Sequence, residues 1–192
     1  MKRILIDAGR WIFLGERTVH LLNVPFVSQL GNVKRNDCGP ACVVMILRAV
    51  KGFPVTIQDI YNVIRFSGDG YWLRWQLVAA LQAFGIGAKK KTNPDLEKAI
   101  KEKKGIIALV NYGVIQDWEK NPNSNFRHNH FVVVYGFDRK RYYVLDPLYP
   151  KDKRRYIPKD VFNKAWETAE DANRLAVVTE YAIDGKLSKR FT

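Results

Sequence analysis

The sequence predicts an α+β domain, helical in its first half and an antiparallel sheet in its second. Between residues 36 and 84 apolar side chains recur at helical spacing, whereas from residue 105 they cluster in β-branched and aromatic runs. Gly, Pro and charged turns separate those runs, and helices followed by strands define the α+β class. With 192 residues, 47% of them apolar, the chain can bury one sizeable core. No repeat, low-complexity tract or linker divides it, so a single domain over 1–192 is expected.

The N-terminal MKRILIDAGRWIFLGE places a basic pair before only three apolar residues, too few for a secretory signal, and no run of 18 apolar residues occurs anywhere. A cytoplasmic protein without a membrane span is expected. The first helix is NDCGPACVVMILRAV (36–50), with Asp37 as N-cap and Pro40 in the first turn, where its missing N–H costs nothing. Being apolar on every side, it should be central and buried. A second helix opens at the Thr56-Ile57-Gln58-Asp59 capping-box variant and runs to about Phe66, with Ile57, Ile60, Tyr61 and Ile64 on one face.

A third helix, 71–84, is stopped by Gly85. Leu73, Leu77, Ala80, Leu81 and Phe84 form one stripe, and Trp72, Trp75 and Ala79 fall roughly opposite. Two apolar faces suggest a helix lying between the core and something else, which makes Trp72 and Trp75 candidates for a cleft wall that binds substrate. A fourth helix, capped by Asn93 and running through LEKAIKEKK, reads as a solvated surface element. The strands are then Gly105-IIALVNY, HFVVVYGF, RYYVLD, RRYIP and RLAVVTEY, with Asp138–Arg141 as a hairpin loop.

Two cysteines four residues apart, Cys38 and Cys42, exclude a disulfide framework, and with three histidines they offer no zinc site. Neither a metal nor a cofactor is called for. Cys38 stands in the first turn of the buried helix, where free N–H groups and the helix dipole favour a thiolate. Cys42 sits among Val43, Val44, Met45 and Ile46 and reads as a small core residue.

A cysteine nucleophile needs a base, an orienter for that base and oxyanion donors. His130 opens the strand HFVVVYGF, Asp146 ends the partner strand before Pro147, and Gln29 lies nine residues before Cys38 with an amide that could donate to an oxyanion. Each alone has an ordinary structural explanation. Pairing the strands around the 138–141 loop sets Asp146 opposite Val133, about 10 Å along the strand from His130, so a bulge or bend is required to bring the two together. His128 and His20 rank below His130, and Asp138, at the far end of the hairpin, is a poor orienter.

In order, VPFVSQ, NDCGPAC, NHFVVVYGFD and YYVLDP span about residues 22–150. This pattern resembles the papain-like cysteine peptidases, specifically the bacteriocin-processing leader peptidases that cleave after a double glycine, and their stand-alone relatives. The resemblance implies a helical lobe bearing Cys38, a sheet bearing His130 and Asp146, a cleft between them, and Gln29 at the oxyanion hole. Bacteriocin-processing members usually front membrane exporters with an ATPase. This chain carries neither, so a stand-alone relative is expected and its substrate cannot be borrowed.

The net charge of +13 points to acidic substrates or polyanionic partners. A basic nucleic-acid or acidic-polymer binding module is the competing reading, supported by Arg65-Phe66, Tyr71-Trp72 and Arg74-Trp75, where aromatics sit beside cations. It is disfavoured because no nucleic-acid motif is present and runs such as Lys89–Lys91 usually solvate a surface. A peptide-binding relative of the same fold without catalysis is a third reading. The expected partner is a peptide or protein substrate.

Overall fold

The computed structural model describes residues 2–6, 10–14, 18–31, 36–52, 54–64, 74–120, 126–152, 155–169 and 174–183. Helix α1 (Cys38–Lys51) is buried from Ala41 to Leu47 and ends on left-handed Gly52, the central helix that its apolar sequence requires. Helix α2 (Ile57–Val63) begins at the Thr56 capping box, with Thr56 accepting from Asp59 N and Asp59 bonding back to Thr56 N. It stops at Ile64, short of the predicted Phe66. Helix α3 (Arg74–Ala83) buries Leu77, Ala80 and Leu81 and ends before Gly85, which is left-handed at φ 77. Residues 65–73, including Leu73, Trp72 and the Arg65-Phe66 and Tyr71-Trp72 pairs, lie outside the described residues.

The sheet runs in the order β4-β9-β5-β6-β7-β8 and every neighbouring pair is antiparallel. Its strands are β4 (Ala88–Thr92), β5 (Lys104–Asn111), β6 (Asn129–Phe137), β7 (Arg141–Leu145), β8 (Arg155–Pro158) and β9 (Leu175–Ala182). A short β3 (His20–Leu21) pairs with Phe137 and Gly136, taking over the edge of β6 where β5 leaves it. At the N-terminus β1 (Lys2–Ile6) and β2 (Arg10–Leu14) form a separate hairpin. All five predicted strands are present. The Lys89–Lys91 run is exposed as expected, but it is carried on an edge strand, β4, whose Ala88 faces the core.

Three expectations need correction. The fourth helix, α4 (Leu96–Lys101), is capped by Asp95, which accepts from Lys98 N; Asn93 instead adopts left-handed φ 49 and donates to Arg174 O. Nor is α4 merely solvated, since Leu96, Ala99 and Ile100 are buried against the sheet. At the start of α1, Asp37 is fully buried but makes no side-chain cap; its carboxylate accepts from Tyr61 Oη on α2. Helices also interrupt the second half: α5 (Tyr112–Glu119) is capped by Asn111, and α6 (Lys159–Glu167) buries Phe162, Ala165 and Trp166. No helix among the described residues is long and apolar enough to cross a membrane.

Candidate active site

Helix α1 packs on β6, and that contact sets the site. Cys42 is fully buried with Sγ 3.4 Å from Phe131 O, the small core residue its neighbours suggested. Burial raises its pKa well above the thiol range, with the Cys38 and Asp146 charges adding to the effect. One turn earlier, Cys38 is only half-buried and heads α1, where the first N–H groups have no partner within the helix.

His130 and Asp146 meet because β6 carries a bulge. An unbulged hairpin around 138–141 would set Asp146 opposite Val133, three positions from His130 and on the other face. The observed register is Phe137↔Tyr142 and Gly136↔Tyr143, then Val134↔Val144 and Val133↔Leu145, so Tyr135 is the extra residue. The one-residue shift carries Asp146 to the level of Val132, two positions from His130 and on its face. His130 Nε2 then lies 2.8 Å from Asp146 Oδ1, and both side chains are fully buried.

A larger network holds the pair. Asp146 Oδ1 also accepts from Leu148 N at 3.0 Å, which turns the chain at Pro147. Its Oδ2 accepts from Tyr112 Oη at 2.6 Å and from Arg155 Nη1. Arg155 is itself buried, bonds Tyr112 Oη at 3.1 Å, pairs with Glu119 and lies over the Tyr149 ring at 4.8 Å. Tyr112 and Phe126 set their rings edge-on to His130, with centroids 4.9 and 5.5 Å away.

Burial would lower the pKa of His130, but the Asp146 charge and hydrogen bond outweigh it and raise the value, with Cys38 adding in the same direction. For Asp146, burial pushes upward and is overcome by His130, Arg155 and Tyr112, so its carboxyl is held below the ordinary range. The same carboxylate, on top of burial, drives the Tyr112 phenol up, so it is a neutral donor. With Nε2 on Asp146, His130 Nδ1 is buried without a hydrogen bond of regular geometry, yet Cys38 is close enough to act on the ring.

Gln29 is buried at 7% exposure although it lies in a loop, and its N–H donates to Pro147 O at 2.8 Å, fastening the VPFVSQ segment beside Asp146. The other histidines stay apart: His20 stacks on Phe137 at 4.8 Å, and His128 is exposed. Asp138 is consumed by Arg141 and by the N–H groups of its own turn. Trp75 is 60% exposed and lines a groove between α3 and β4, on a helix that packs against α1. Trp72 lies outside the described residues. Among the described residues no group of His, Cys, Asp and Glu could hold a metal.

Sequence reasoning missed Tyr112 and Arg155. Tyr112 looked like the end of the strand GIIALVNY, although Asn111 before it is an N-cap residue type; Arg155 was hidden in RRYIP, where a cation in an apolar strand was the available signal.

Comparison with curated proteins found no match. Among solved structures, a C39-like peptidase described as putative, from Bacillus anthracis, is 22% identical with a TM-score of 0.62, covering 91% of this chain and 100% of its own. The peptidase domain of Streptococcus ComA, a bi-functional ABC transporter involved in a quorum sensing pathway, is 21% identical with a TM-score of 0.57, covering 80% and 96%. A double glycine motif protease from an AMS/PCAT transporter, solved in complex with the leader peptide, is 22% identical with a TM-score of 0.53, covering 83% and 93%. These share the papain-like fold, α+β, that the helices and antiparallel sheet build here. The model of the Peptidase C39 family matches residues 25–169, from Pro25 ahead of Gln29 to beyond Arg155, and on that match the chain belongs to the Peptidase C39 family and is a cysteine-type peptidase.

Proposed function

We propose that the chain hydrolyses a peptide bond with Cys38 as nucleophile, His130 as general base and then acid, and Asp146 as the group that orients His130. The observation that carries this reading is the 2.8 Å contact between His130 Nε2 and Asp146 Oδ1, which leaves Nδ1 as the ring nitrogen available to Cys38. In the first half-reaction His130 Nδ1 takes the Cys38 thiol proton, the thiolate forms an S–C bond to the carbonyl carbon, and the imidazolium returns that proton to the amine that leaves as the C–N bond breaks. Water then adds to the thioester, His130 takes its proton, and the S–C bond breaks to return the thiolate. The oxyanion of each tetrahedral intermediate is assigned to the Cys38 N–H and the Gln29 amide. Cys38 is only half-buried, in keeping with a side chain that a substrate must reach.

A peptide is the substrate class we favour, in line with the structural neighbour held with a leader peptide. Mass spectrometry of a peptide library incubated with the protein tests both points. Cleavage by the wild type that vanishes in Cys38→Ala and His130→Ala is the expected result. Full cleavage by Cys38→Ala would overturn the assignment.

A further inference from the structure

Asp146 is held between two cations. His130 lies on Oδ1, while Arg155 Nη1 and Tyr112 Oη lie on Oδ2, and the carboxylate is 1% exposed. Tyr112 stays neutral and has no charge to offer, so the permanent counter-ion is Arg155, whose guanidinium cannot lose its proton. Catalysis by Cys38 and His130 requires the imidazole to alternate between charged and neutral forms. While it is charged, Asp146 has a counter-ion on each oxygen. Once it is neutral, Arg155 alone prevents a buried, uncompensated anion.

We propose that Arg155 is a positioning residue, the second counter-ion of Asp146, which keeps that carboxylate ionised whichever form His130 takes and thereby sets the pH range of the Cys38–His130 pair, with Glu119 moderating it. The inference rests on the reading of Cys38 and His130 proposed above. Asp146 and Cys38 act on His130 directly, and the remaining charged and titratable groups of the cluster reach it through Asp146 and Arg155: Cys42 on α1, Tyr112 and Glu119 on α5, Tyr149 after β7, and Arg155 on β8. Of these, Arg155 is the permanent cation. Removing it stabilises the imidazolium and destabilises the thiolate, so both transitions of the pair move to higher pH. Removing Glu119 leaves the Arg155 charge less neutralised and moves them the opposite way.

The pH dependence of iodoacetamide alkylation at Cys38, followed by peptide mass spectrometry, reads these transitions without a substrate. Arg155→Met should shift both inflections up by about half a unit to one unit, Glu119→Gln should shift them down by less, and Arg155→Lys should stay near the wild type. Profiles of Arg155→Met and Glu119→Gln within about 0.2 unit of the wild type, or moving in the same direction, would overturn the proposal. If Arg155→Met does not fold, the half-buried Glu119→Gln decides alone, a downward shift supporting it and no shift refuting it. His130→Ala separates the two readings. A wild-type profile in that variant sinks the Cys38–His130 pairing itself, whereas collapse to a single thiol titration with unmoved Arg155→Met and Glu119→Gln profiles sinks only the role of Arg155.

Discussion

His130 Nε2 and Asp146 Oδ1 stand 2.8 Å apart, fully out of solvent, at the end of a hairpin whose register is offset by the extra residue Tyr135. Asp146→Asn preserves the shape of this contact and removes its charge. A neutral amide no longer stabilises an imidazolium and permits the wrong tautomer, so peptide hydrolysis should fall by about 10²- to 10⁴-fold. The substitution also leaves Arg155 facing an amide, with Glu119 as its remaining carboxylate partner. Urea unfolding should show a loss of about 1–3 kcal/mol. Unchanged stability with unchanged turnover would mean that Asp146 neither orients His130 nor neutralises Arg155.

The same pair dictates how stability varies with pH. His130 is raised in the folded protein, so its contribution is complete below the ordinary imidazole value of about 6.5 and is lost as pH rises toward its folded value. Asp146 is lowered, so its contribution is complete above the ordinary carboxyl value of about 3.9 and is lost as pH falls toward its folded value. Unfolding free energies measured across pH should therefore peak between these ordinary values and decline on both sides. In Asp146→Asn both slopes should flatten together, because the two shifts describe one interaction. An alkaline slope that survives in this variant would assign it to another group.

The helices and strands with long, pure patterns were legible: α1 with its uninterrupted apolar run, the Thr56 capping box of α2, and β5, β6, β7 and β9 with their β-branched cores. Helices α5 and α6 were not, since their eight- and nine-residue patterns are embedded among stronger strand signals. Strand β4 reads as a lysine run because edge strands carry charge outward. Within the site, Cys38, His130 and Asp146 could be singled out by residue type and neighbours. Their proximity was implied by the family resemblance and not by simple strand pairing, because it depends on a bulge at Tyr135 whose position no turn residue announces. Arg155 and Tyr112 were invisible for a related reason: their function lies in an interaction with Asp146 from 9 and 34 residues away.

Gly136 follows the bulge and has no room for a side chain. A Cβ there would lie 2.6 Å from His20 O and 2.5 Å from Leu21 Cδ2, so Gly136→Ala must push β3 off the edge of β6. Leu21 can move its methyl, but the His20 carbonyl is backbone and cannot. We expect a loss of about 1–3 kcal/mol in thermal or chemical unfolding, within the range for overpacking. Retention of wild-type stability would show that β3 contributes little to the sheet.

Cys38 and Cys42 occupy one face of α1 a turn apart, yet their chemistry should differ widely. The Cys42 thiol is fully buried, touches Phe131 O, and is held in its protonated form by burial and by the nearby Cys38 and Asp146 charges. A reagent reaches it only when the helix and sheet separate, so its modification tracks opening of the core. Cys38 is accessible, begins the helix and lies against His130. At neutral pH iodoacetamide should label Cys38 at least about 10²-fold faster than Cys42, a ratio set by the burial of the Cys42 sulfur and by the protonated form that burial imposes on it. Mild urea distinguishes the two causes, since it should speed Cys42 labelling while leaving Cys38 nearly constant until the global transition. Equal rates in the absence of urea would remove the grounds for treating Cys38 as an activated nucleophile.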